Sequence, residues 1–238
     1  ITNYTTITDR IMCATLLPKC GHVAIINHNA PDETKPTQTK TAHWGMLTHT
    51  VRNLQEDAIK ILIGDTNLRW HGHYEEEKEF IGPHIFGRYL GNLDDNQHEN
   101  RDLGVAFLTA HNLYYLNSYF QHAPRQTATF RDAHCLKGSC DDRYPTTDTH
   151  TVLDQAYGDK KARACCKGIK ARKDIYNKGG HIILESIFNI THKARTKKKA
   201  DPKPDFKPLR NKNCRKRVAN ALLTSVNTNL NETDTLEN

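Results

Sequence analysis

One stretch constrains the fold of this chain more than any other: Ile59-Lys60-Ile61-Leu62-Ile63-Gly64-Asp65-Thr66-Asn67. A short apolar, β-branched run bounded by glycine and polar residues reads as a buried central strand. The run ends by delivering an Asp and an Asn two positions apart. Side chains alternate along a strand, so the spacing predicts that Asp65 and Asn67 point the same way from the strand end. A carboxylate there can hold a hard cation or take a proton, and an amide beside it can hydrogen-bond a phosphate oxygen or a water. Asp and Asn after a strand also serve simply as turn residues.

The flanking sequence gives that strand neighbours. Arg10 to Leu17 and His22 to Asn27 read as two strands joined by a turn at Pro18-Lys19-Cys20-Gly21, a hairpin. Trp44, Leu47, Val51, Leu54 and Ala58 recur at helical spacing, so Ala42 to Glu56 is expected to be an amphipathic helix packed on the sheet. Hairpin, helix and buried strand in that order belong to a layer of an α/β or α+β sandwich. Farther on, Asn100-Arg101-Asp102 is expected to cap a second helix with Leu103, Phe107 and Ala110 on one face, ending near His111-Asn112. Leu113 to Ser118, Gln126 to Arg131, Thr151 to Ala156 and Ile182 to Phe188 read as further strands.

No apolar run reaches the roughly 20 residues of a spanning helix, so no membrane is expected among the partners. The start, Ile1-Thr2-Asn3-Tyr4, has neither an initiator Met nor a signal pattern, and the reading is of a fragment. Seven scattered cysteines do not make a small secreted disulfide framework; an intracellular, reduced chain is expected, with the nucleus one compartment open to it. The net charge of +7 is unevenly spread. Residues 191–217 carry twelve Lys and Arg against Asp201 and Asp205, whereas residues 1–190 balance 22 basic with 22 acidic groups. The excess therefore resides in a basic arm suited to non-specific, salt-dependent contact with nucleic acid. After it, Val218, Leu222 and Val226 predict a C-terminal helix.

Two small clusters make weak metal candidates. His71 and His73 lack further ligands nearby and read better as surface histidines. His134, Cys135 and Cys140 lack the second half of a zinc site. More informative is Asp154, an acid at an apolar position of Thr151-Val152-Leu153-Asp154-Gln155-Ala156, which burial makes costly unless a cation, metal or histidine lies beside it. His181, behind Gly179-Gly180 and opening the strand Ile182 to Phe188, is a candidate partner; an exposed turn histidine is the other reading.

In order along the chain, Ile61 to Asn67, Ile81-Gly82-Pro83-His84-Ile85-Phe86-Gly87, Asn100-Arg101-Asp102-Leu103, Leu116 to Phe120, Ala128-Thr129-Phe130, Leu153-Asp154 and His181 resemble the endonuclease/exonuclease/phosphatase superfamily. Within it they look most like nuclease domains of non-LTR retrotransposons and the related craniofacial-development-protein-2-like chains. The resemblance covers roughly residues 8–190 and implies a four-layered α/β (α+β) sandwich that hydrolyses phosphodiesters of DNA with magnesium or manganese. It implies that Asp65 positions or deprotonates the water and binds metal, that Asn67 holds the scissile phosphate, that Asp154 orients His181, and that Asn29, Thr129 and Phe130 lie against substrate. Residues 1–190 would then be a partial nuclease domain, 191–217 a Pro/Lys-rich link toward a downstream reverse transcriptase in a parent polyprotein, and 218–238 a helix and tail.

Departures accompany the likeness. The family's Ser-Asp-His is Gly179-Gly180-His181 here, its Tyr-x-Pro is Asn29-Ala30-Pro31, and the strands bearing its Asn and metal-binding Glu would precede Ile1. The sequence thus leaves two functions standing: an impaired endonuclease, or a catalytically inactive remnant that binds nucleic acid at most through its basic arm.

Overall fold

The computed structural model describes residues 3–18, 21–87, 99–131, 145–174, 180–190, 216 and 220. The chain divides into two compact units, Ile1–Lys193 and Ala194–Asn238. The expected C-terminal helix positions Val218, Leu222 and Val226 lie outside the described residues, as do His134, Cys135, Cys140 and Gly179.

The first unit is a mixed α/β sandwich built on a six-stranded sheet. Its strands are β1 (Asn3–Thr8), β2 (Ile11–Leu16), β3 (Val23–Asn29), β4 (Ile59–Asp65), β8 (Asp154–Gly158) and β5 (Tyr114–Tyr115), in the order β1-β2-β3-β4-β8-β5. Only β3 and β4 run parallel; the other neighbours are antiparallel. The parallel pair requires a crossover, supplied by helix α1 (Thr37–Arg52). Helix α2 (Glu99–His111) packs beside α1 on the same face.

The strand that organises the sequence organises the core. Leu62 faces the helices with Ile26, Leu47, Trp44 and Phe107, while Ile59, Ile61 and Ile63 face the opposite side. There α4 (Lys160–Cys165) contributes Ala162, and the small sheet of β9 (Cys166–Arg172) and β10 (Ile183–Phe188) contributes Ile169, Leu184 and Phe188. A strand covered on both faces needs a continuous apolar run, which Ile61, Leu62 and Ile63 provide at its centre. The described residues thus form three layers; above β9 and β10 no fourth is described, and Ile183 and Ile187 are exposed.

Several elements differ from their sequence reading. β1 went unanticipated because its Asn-Tyr-Thr-Thr-Ile-Thr carries no apolar alternation; as an edge strand it is mostly exposed and needs none. α1 begins five residues before the expected Ala42, since Pro36 presets the turn that enters it. In α2, Asn100 and Arg101 are not cap residues but buried helical ones, and Ala110 is exposed, the inward face being Asn100, Arg101, Gly104, Phe107 and Leu108. The expected strand at 113–118 shortens to β5 and a 3-10 turn, Leu116–Tyr119. That at 126–131 is a short helix α3 (Pro124–Thr127) followed by β6 (Phe130–Arg131), paired with β7 (His150–Thr151).

Candidate active site

Three strand ends meet at one end of the sandwich. Asp65 closes β4; its register partners are Asn29, which closes β3, and Asp154, which opens β8. Residues in register on adjacent strands share a face, so these three side chains form a row across the sheet. His181 reaches the row from the other layer, held by an isolated bridge to Phe130 just before β10 begins. Its Nδ1 lies 3.0 Å from Asp154 Oδ2 and its Nε2 3.8 Å from Asp65 Oδ2. The four residues Asp65, Asn67, Asp154 and His181 therefore converge, although 116 positions separate the first from the last.

Asn67 arrives by a route other than strand alternation. The chain has already left the strand, and Asn67 sits at φ 46°, the left-handed region that Asn tolerates better than most residues. Asp65 stabilises that turn: its Oδ1 accepts the Asn67 backbone N–H at 3.0 Å. The Asn67 Nδ2 donates to the Ala30 carbonyl at 2.7 Å and lies 3.4 Å from Asp65 Oδ2. Both amide hydrogens thus face protein oxygens, and to hold a phosphate Asn67 must release the longer contact to Asp65. As placed, Asn67 aligns the Asp65 carboxylate.

A second set of residues supports the first. Asn100, fully buried, donates to the Pro31 carbonyl at 2.8 Å and the Asn67 carbonyl at 3.3 Å, and accepts from Trp44 Nε1 at 3.3 Å. It ties α2 to both loops flanking the row. Gln155, also fully buried, donates to the carbonyls of Leu68 and Val152 and accepts from Trp70 Nε1 at 2.8 Å, fixing the loop after β4 to the start of β8. Single polar residues carry no periodic signal, so Gln155 was not legible as a functional support; Asn100 was visible only within its motif.

Thr129 changes role. It is fully buried, and its Oγ1 accepts the backbone N–H groups of Leu153 at 3.0 Å and Asp154 at 2.9 Å. It therefore positions Asp154 and does not lie against substrate. Phe130, half-buried, meets the His181 ring edge-on at 4.8 Å between centroids. Asn29 is exposed beside Asp65, where a ligand could reach it. Replacing Thr129 by valine keeps the shape but leaves two N–H groups without an acceptor, and is expected to cost about 1–3 kcal/mol in urea unfolding.

The electrostatics follow from the geometry. The hydrogen bond to Asp154 raises the His181 pKa above its ordinary 6.5 against an opposing effect of burial, with the Asp154 and Asp65 charges adding to the rise. Burial pushes the Asp65 carboxyl upward, opposed chiefly by the N–H of Asn67. A histidine whose cationic form is favoured and a carboxylate of raised basicity thus face one another, the first suited to offset negative charge when protonated and the second to accept a proton. A cavity of about 420 Å³, lined by Asn27, Ile63, Gly64, Asp154, Leu184 and Ser186, adjoins the row.

Among the described residues no group of three His, Cys, Asp or Glu is placed to share an ion. Asp65, the carboxylate expected to bind metal, already has its oxygens facing Asn67 and His181. A hard divalent cation wants close oxygen ligands, and a histidine favoured in its cationic form is a poor donor. Gly180 supplies none, and a Cβ added there would lie 2.9 Å from Phe130 Cε2 and 3.1 Å from the Arg131 carbonyl oxygen.

No family model matches this sequence. No curated protein matches it either. Solved structures do resemble the chain. The 3′ phosphatase NExo of Neisseria bound to a product DNA hairpin is similar at a TM-score of 0.52 and 15% identity, over 75% of this chain and 64% of that one. The 3′-5′ exonuclease NExo from Neisseria meningitidis gives 0.51 and 16%, over 76% and 65%. The endonuclease domain of TRAS1, a telomere-specific non-LTR retrotransposon, gives 0.49 and 12%, over 76% and 66%. This chain thus spans just under two thirds of each of these structures. At such identities the likeness speaks for architecture alone: the chain shares the mixed α/β fold of the two NExo structures.

Proposed function

We propose that this chain is a phosphodiester hydrolase of nucleic acid, of the DNA endonuclease type resembling non-LTR retrotransposon nucleases, and that its catalysis is impaired. The observation that carries the proposal is the alignment of Asp154, His181 and Asp65 at adjoining strand ends. In this reading Asp154 holds the imidazole, His181 as the cation stabilises charge developing on the phosphoryl oxygens, and Asp65 takes the proton of the attacking water. Asn67 fixes Asp65, while Asn29 and Phe130 border the substrate. The metal-dependent part is where the impairment lies, since the carboxylate expected at 180 is glycine.

The second reading, an inactive remnant whose basic arm at 191–217 contacts nucleic acid, is favoured by the same lack of a three-donor cluster among the described residues. Plasmid nicking separates the two. The purified chain is expected to show little or no magnesium-dependent nicking of supercoiled DNA. Gly180→Asp is expected to raise it tenfold or more, equivalent to about 1.4 kcal/mol of transition-state stabilisation, provided that both the Phe130 ring and the Arg131 carbonyl yield. His181→Ala in that background should abolish the gain. Robust nicking by the unaltered chain, lost with Asp65→Ala, would overturn the impairment; nicking indifferent to both Asp65 and His181 would overturn the site itself.

A further inference from the structure

Helix α3 stands between two cavities of contrasting chemistry, and none of its side chains is buried. Pro124 and Thr127, one turn apart, line a cavity of about 300 Å³ with His84, Phe86, Phe120 and His122. The rings of Phe120 and His122 lie nearly parallel, 17° apart. His122 Nε2 is buried with no hydrogen-bond partner among the described residues. Arg125 and Gln126 line a second cavity, of about 660 Å³, with Lys170, Arg172, Lys173 and Asp174. Asp174 and Glu185 engage Arg172, and Glu185 also lies 3.4 Å from Lys170; the described lining of this cavity is mainly basic. Arg125 is exposed and makes no hydrogen bond or ion pair among the described residues.

The ridge is rooted in the candidate site. Two residues after α3 comes Thr129, which holds Asp154, and then Phe130, which meets His181. On the other wall, Arg172 is the register partner of Ile183, two residues from His181, which by strand spacings puts it on the order of 10 Å from that residue. Flat rings on one side of a ridge and cations on the other match a single nucleic-acid strand, whose bases stack and whose phosphates track a positive groove. Although residues 1–190 are neutral in sum, folding brings four basic side chains together among the described residues here.

We propose that α3 divides a binding platform for single-stranded nucleic acid, with a base received among Phe86, Phe120 and His122 and the backbone on Arg125 and Lys173. The platform deepens the phosphodiesterase reading and rests on it for the strand's path toward His181. The probe is a fluorescent oligothymidylate of roughly 12 nucleotides, within the site size of such grooves, bound to the full chain in EDTA. Arg125→Ala with Lys173→Ala is expected to make the slope of log affinity against log salt shallower by about 1.4, the release expected for two single-strand phosphate contacts. His122→Ala is expected to weaken oligothymidylate binding about tenfold while leaving an abasic strand of equal length unaffected, and His122→Phe to restore it. Circular dichroism and the thermal midpoint confirm that each variant folds. An unchanged slope together with equal affinity for oligothymidylate and the abasic strand would overturn the platform and leave binding to the basic arm. The platform and the site fail separately: platform effects without Asp65- and His181-dependent cleavage would reject only the phosphodiesterase reading, and the converse only the platform.

Discussion

Replacing Gly64 by alanine is expected to cost more than 3 kcal/mol, enough to leave much of the chain unfolded. Gly64 lies at φ 147°, where L side chains are strained, and a Cβ built there would sit 1.8 Å from the His28 carbonyl oxygen and 3.0 Å from the His28 nitrogen. Both contacts are backbone, so no rotamer change relieves them; β3 and β4 must separate near the C-terminal end of their parallel pairing, one residue before the site row. The strain alone is worth about 1–3 kcal/mol, with overpacking added. Soluble yield and a urea midpoint measure the outcome. A folded Gly64→Ala chain within 1 kcal/mol of the original, on the order of a surface substitution, would contradict this account of the β3–β4 pair.

The second large effect is acid lability. His28 on β3 is 2% exposed, and its Nδ1 lies 3.3 Å from Nε2 of His43 on α1. Burial, and then the His43 charge, push the His28 pKa down to about 3; burial, and then Arg10, push His43 to about 4. Both folded values fall below the ordinary 6.5, so the unfolded chain binds more protons in between. Stability is therefore complete above pH 6.5 and declines as the pH falls toward the folded values. At roughly 1.4 kcal/mol per unit, His28 alone costs about 3 kcal/mol by about pH 4.5. The urea midpoint should drop steeply between about pH 7 and 5, and His43→Phe, which removes one of the two groups, should flatten it. A midpoint indifferent to pH across that range would show that the pair is solvated.

These effects mark what could be read from the sequence. Ile59 to Asp65 was legible as the central strand because its short, β-branched apolar run ends in Gly and Asp, and the resemblance of ordered motifs located Asp154 and His181. Their meeting follows from register, Asp65 opposite Asp154, which strand patterns alone do not specify. Asn67 was found for an incomplete reason: its place beside Asp65 depends on a left-handed turn and the Ala30 carbonyl, both products of tertiary packing. The resemblance places Thr129 against substrate, but two backbone donors from β8's entrance capture its hydroxyl. β1 escaped notice because an exposed edge strand can be almost wholly polar.

Asp154 and Asp65 favour the cationic form of His181 where the two sheets meet, and titration of the His181 ring by NMR in the intact chain reads that preference. The account predicts a pKa above 6.5, so that the ion-pair contribution is complete below 6.5 and disappears as pH rises through the folded value. It predicts a fall when Asp154→Asn removes the charge that accepts the Nδ1 proton, and a smaller fall with Asp65→Asn, whose contact is 3.8 Å rather than 3.0 Å. A His181 that titrates at or below 6.5 and ignores both substitutions would contradict the assembled site, whatever the fold around it.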